Sequence, residues 1–194
     1  MKNTFYLIFL SLLMFACKNN KQNQSGDKHQ NHKMEQTASS SKKTLSPHKY
    51  AMEMIGDAHI HIDYSAPSVR GRIIFGGLLA YGEVWQSGAH NATWIETNKD
   101  IIINENLLKA GKYGFFTIPN KDRWTIIFNK NWNQHGKDDY NENDDVLRID
   151  VTPEISEEIT EQLTYKVEGL NDKEGIISLS WEKMTIRFPF TLSN

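Results

Sequence analysis

Two hydrophobic patterns divide the chain. Positions 4–15 form an apolar run broken only by Ser11, and polar, lysine-rich sequence follows it directly. From Tyr50 onward the period becomes two. Ala58, Ile60, Ile62 and Tyr64 alternate with His59, His61 and Asp63, the signature of a strand buried on one face. Strand-like runs recur at 92–97, 101–103, 113–118, 124–129, 146–151, 162–168, 176–182 and 185–190. Turn-forming stretches separate them, among them Ile55-Gly56-Asp57, Ala110-Gly111-Lys112 and Pro119-Asn120-Lys121-Asp122. A helical pattern is expected only around 73–79 and 155–160. Short strands at this spacing predict an all-β fold, a single antiparallel β-sandwich over residues 46–194 with at most short helical segments.

The first apolar run is too short to cross about 30 Å of hydrocarbon, which takes about 20 helical residues, but it suits the core of a signal peptide. It ends at Met14-Phe15-Ala16-Cys17, a pattern that resembles the lipobox of bacterial lipoproteins, with a bulkier Phe15 than the commonest form. Cys17 is the only cysteine. An unpaired cysteine in an exported chain calls for an explanation, and here lipidation supplies one. Residues 1–16 are thus read as a signal peptide, with Cys17 as the acceptor of the anchoring lipid (palmitate among its acyl chains). Two or three such chains hold a protein at a membrane stably. Residues 17–45 read as a flexible, disordered basic tether, roughly 30 Å in root-mean-square span. His29 and His32 lie within it and read as solvated linker.

Charge sharpens this division. Seven lysines between positions 18 and 49 face two acids, whereas from Tyr50 on 22 acids outnumber 14 bases. A basic tether suits anionic lipid. The acidic domain has no basic face and argues against a nucleic-acid partner.

A set of segments carries a family resemblance. These are Tyr64-Ser65-Ala66-Pro67-Ser68-Val69-Arg70-Gly71-Arg72-Ile73-Ile74-Phe75-Gly76-Gly77-Leu78 and Tyr81-Gly82-Glu83-Val84-Trp85-Gln86-Ser87-Gly88-Ala89, with Ala92-Thr93. Ala110-Gly111-Lys112-Tyr113, Phe116-Thr117-Ile118-Pro119 and Ile127-Phe128-Asn129-Lys130 complete it. Together, from Ser46 to about Pro189, they resemble domain-of-unknown-function family 2911, common in exported proteins of the Bacteroidetes. The resemblance implies a β-rich fold and no established activity. Gln86 stands where the resemblance leads one to expect a basic residue, and His90-Asn91 where Asn-Glu is frequent.

Candidate chemistry concentrates in the irregular stretch from Pro67 to Thr93, because long structured loops often carry function. Arg70 and Arg72 suit a carboxylate or phosphate. Tyr81 and Trp85 offer flat faces for stacking, and His90 and Asn91 add polar groups. The competing reading pairs an arginine with a buried acid and places Trp85 in the core. A second candidate is a divalent-metal site. His59 and His61 share one strand face, and His90 or His48 would supply the third ligand. A third is the acidic stretch 139–150, which spaces oxygens like a calcium loop but has Asp144 where such loops need glycine.

No nucleophile elbow, phosphate loop, dinucleotide fingerprint or zinc-protease motif is present. The reading is a lipoprotein of the bacterial envelope, its domain in the periplasm or at the cell surface, with a non-catalytic role either in binding a small-molecule or protein ligand or as an accessory envelope protein. The alternative is a metal-binding protein or metal-dependent hydrolase built on His59, His61 and His90.

Overall fold

The computed structural model describes residues 44–193. The segment read as a signal peptide, Cys17 and nearly all of the expected tether lie outside them. Ten strands, β1(His48–Ile55), β2(Ala58–Ser65), β3(Trp94–Thr97), β4(Ile101–Ile103), β5(Asn106–Leu108), β6(Gly111–Ile118), β7(Trp124–Asn129), β8(Asp145–Val151), β9(Glu154–Gly169) and β10(Glu174–Leu192), form two antiparallel sheets. One sheet runs β1-β2-β3-β6-β7-β8 and the other β5-β4-β10-β9. The fold is the expected β-sandwich.

Alternation explains the core. Ile60, Ile62 and Tyr64 of β2, Ile95 of β3, Phe115 of β6 and Ile126 and Phe128 of β7 point inward from the first sheet. Leu163, Tyr165 and Val167 of β9 meet them with Ile177, Leu179, Trp181, Ile186 and Phe188 of β10. Such interdigitated inner faces are what a sandwich buries. β7 is buried at every position except the half-buried Thr125 because Ile127 is covered on the outer face as well, in a second cluster with Phe116 and Ala92 against Val84 and Tyr140.

Three local expectations change. Residues 73–79 form a tight turn rather than a helix, with amides of Leu78 and Leu79 donating to the carbonyls of Ile73 and Ile74. Gly76 at φ +82° breaks the helical path, and a Cβ on Gly77 would lie 2.4 Å from the Ile73 carbonyl oxygen. The segment 155–160 is extended and exposed within β9, opposite an irregular stretch of β10 where Glu182 takes φ 55°. That bulge also joins the two runs 176–182 and 185–190 into one 19-residue strand. Finally, β1 is a strand that alternation hid. Its outward side carries Tyr50, Met52 and Met54, while Lys49, Ala51 and Glu53 occupy the inward register, so polarity runs in the wrong phase.

Candidate functional site

The chain between β2 and β3 builds a cleft by changing sheets. After Ser65 it crosses to the second sheet, where Ser68 bridges Gln162 and the Val69 amide donates to the Glu161 carbonyl at 2.8 Å. Arg70 and Gly71 then turn it back through left-handed conformations, φ 50° and 66°. The Arg70 amide donates to the Glu161 carboxylate at 2.9 Å, which fixes the turn.

Beyond that turn, Ile74 and Phe75 plug into the core. The Phe75 ring lies 4.8 Å from Trp124, 6.1 Å from Trp181 and 6.2 Å from Trp85. Trp85 then exchanges two backbone hydrogen bonds with Thr117, at 2.8 and 2.9 Å, and so extends the first sheet beside β6. Ser87 follows in a left-handed conformation with its hydroxyl on Thr117 Oγ1 at 3.0 Å. Its carbonyl accepts from Thr93 Oγ1 and from the Tyr165 hydroxyl. Every polar atom named in this knot is matched, as burial demands. Burial pushes the Tyr165 hydroxyl well above its ordinary pKa, against the opposing effect of its hydrogen bonds.

The resulting cleft has a volume of about 660 Å³, within the range of small-ligand sites. Arg70, Arg72, Trp85 and His90 all line it, joined by Leu45, Pro67, Leu78, Leu79, Gln86 and Trp181. Both guanidiniums are held by backbone carbonyls: Arg70 Nη2 donates to Leu45, Arg72 Nε to Val69 at 3.0 Å and Arg72 Nη2 to Ser68 at 2.7 Å. Among the described residues neither side chain pairs with a carboxylate. The guanidiniums are therefore oriented by neutral carbonyls, and the Glu161 carboxylate is engaged by the Arg70 amide instead. Trp85 forms wall rather than free platform. It is only 4% exposed, stacks on Trp181 at 5.6 Å, and donates from Nε1 to the Gly88 carbonyl at 3.0 Å.

Tyr81 and Asn91 stand apart from the cleft. Tyr81 packs over Gly76 and faces a separate depression with Lys121 and Arg123. Asn91 lines a hollow of about 140 Å³ together with His48, Asp63, Trp94 and Trp132, and His90 borders both spaces. Sequence reasoning missed Trp181, Leu78 and Leu79 as cleft residues. Trp181 belongs to a run recognised as a strand, but nothing in that run shows which segment crosses above it.

The three histidines of the metal reading do not converge. His59 and His61 sit side by side on the outer face of β2, ring centroids 5.9 Å apart, whereas His90 lies at the cleft. His48 instead holds Asp63, Nε2 to Oδ1 2.9 Å. Among the described residues no three His, Cys, Asp or Glu side chains are placed to share an ion. The acidic stretch is not laid out as a calcium loop either. Asp150 lies in β8 and accepts from Thr125, and the Asp145 carboxylate takes Asn129, Tyr140 and Arg148.

Comparison with protein families gives a match to the description "Protein of unknown function (DUF2911)" over residues 46–190. The chain belongs to this family. No curated protein and no solved structure matches it. In this DUF2911 member the matched region contains every strand of both sheets except the last residues of β10, and all of the cleft beyond Leu45. Gln86, the departure from the expected basic residue, stands in the cleft wall. The two arginines thus supply the positive charge there.

Proposed function

We propose that this DUF2911 protein is a lipid-anchored envelope lipoprotein whose cleft binds a small ligand carrying a carboxylate or phosphate on an apolar body, without transforming it. The observation that carries the reading is the pair Arg70 and Arg72, whose guanidiniums are fixed by backbone carbonyls and form no ion pair with a carboxylate among the described residues. Guanidinium forks match carboxylate and phosphate oxygens bidentately. Leu78, Leu79, Trp85 and Trp181 beside them suit an apolar body. Lipidation at Cys17 and export are supported by the apolar run at 4–15 and the Ala16-Cys17 junction. The basic tether favours an anionic membrane surface as the protein's neighbour.

Thermal unfolding tests the reading. Octanoate and octyl phosphate supply the anion and the chain together, and octanol supplies the chain alone. A ligand at about 100 times its Kd adds about 2.7 kcal/mol. Stabilisation by either anion and not by octanol is expected. Equal responses to all three, or none, would leave the arginines without the assigned role.

A further inference from the structure

The outer face of β1 and β2 carries a second constellation, independent of the cleft. In the antiparallel register Met52 stands opposite His61 and Met54 opposite His59. Directly opposed side chains on one face of such a pair have Cβ atoms about 4.5–5.5 Å apart. Two thioethers and two imidazoles therefore occupy the four corners of one small patch. From this geometry we infer a binding site for a soft monovalent cation of the Cu(I) class, with Met52, Met54, His59 and His61 as its ligands.

Four observations support the site. The methionines are 52% and 55% exposed on an edge strand, where a charged or β-branched residue would serve the fold better. Their flexible side chains can swing the sulfur toward a shared ion. The imidazole nitrogens of His59 and His61 make no hydrogen bond or ion pair among the described residues, and Asn98 engages the His59 backbone amide rather than its ring. His61 is held between Tyr50 and Trp94, stacked at 5.8 and 5.1 Å, which orients its ring. An ion bonded to a ring nitrogen at 2.0–2.1 Å lies about 3.2 Å from that ring's centre, so centroids 5.9 Å apart allow both rings to reach one ion.

The donor set selects the metal. Thioether and imidazole favour Cu(I), whereas Mg, Ca and Mn demand oxygen, and zinc sites are built from thiolate, imidazole and carboxylate. The carboxylate in register beside His61 is Glu96 on β3, yet no oxygen-bearing trio for a harder ion forms here.

Silver(I), a redox-inert ion of the same class, is the probe. The full chain carrying Cys17→Ser, which removes the single thiol, is titrated with silver nitrate and separately with zinc. Bound metal is counted after dialysis, and the methionine methyl resonances are followed by NMR. The inference expects the Met52 and Met54 methyls to shift with silver and not with zinc. It also expects Met52→Leu with Met54→Leu to lose one silver equivalent or at least a hundredfold in affinity. An unchanged count together with unchanged affinity in the double variant would overturn the site. So would silver bound while those two methyls stay fixed, for then His29, His32 or Met34 holds it. A parent that takes up no silver, or a zinc response equal to silver's, would overturn it equally.

Discussion

The Tyr165 hydroxyl donates to the Ser87 carbonyl at 2.7 Å, joining two residues 78 positions apart in sequence. Through this bond the second sheet holds the segment that turns Trp85, Gly88 and His90 into a cleft wall. Thr93 donates to the same carbonyl at 3.0 Å, so the left-handed Ser87 is fixed from both sheets.

Tyr165→Phe removes one donor from this knot while Thr93 keeps the carbonyl satisfied. The loss should therefore be that of one hydrogen bond, about 1–1.5 kcal/mol in urea unfolding at neutral pH. A larger loss would mean that Thr93 does not hold Ser87 alone.

The same residue gives a pH dependence. Burial raises the Tyr165 hydroxyl well above its ordinary pKa, and burial raises Tyr64 as well. A tyrosine whose folded pKa lies above its unfolded value near 10 contributes stability that is complete below pH 10. That stability is lost as the pH climbs beyond it, because the unfolded chain releases its proton first. Unfolding free energy should fall from pH 10 upward, and the fall should be shallower in Tyr165→Phe. Parallel pH profiles would show that Tyr165 ionises equally in both states.

Phe75→Ala tests whether the turn at 73–79 is a core element. Phe75 lies against Trp124, Trp181 and Trp85 at the centre of the buried aromatic cluster. Its truncation should cost about 3–5 kcal/mol, measurable as a drop in the urea midpoint. A change under 1 kcal/mol would make the turn a surface loop.

Cys17→Ser should move the protein from the membrane fraction to the soluble fraction and remove the lipid mass from its N-terminal peptide. Membrane retention of the serine variant would contradict lipid anchoring.

Much of the fold was legible because inward and outward residues alternate cleanly, as in Ile60-His61-Ile62-Asp63. β1 was not, since Tyr50, Met52 and Met54 point outward from an edge strand. The apparent helix at 73–79 failed because Gly76 takes φ +82° under the Tyr81 ring and Gly77 sits against the Ile73 carbonyl. In the candidate site, Arg70, Arg72, Trp85 and His90 come together as one lining, but Tyr81 and Asn91 turn to neighbouring hollows. Their directions depend on left-handed residues such as Arg70, Ser87 and His90, which periodicity does not encode. Trp181 reaches the cleft from β10 by a long-range pairing that no local pattern announces.

The measurement that bears most directly on the cleft is the affinity of octyl phosphate for the parent and for Arg70→Ala with Arg72→Ala, by titration calorimetry. Charge-assisted hydrogen bonds contribute about 1.5–3 kcal/mol each, and each 1.4 kcal/mol is a factor of about ten. The double variant should bind octyl phosphate at least tenfold more weakly, while octanol gives no measurable binding to either protein. Equal affinity of parent and variant for octyl phosphate would contradict the account.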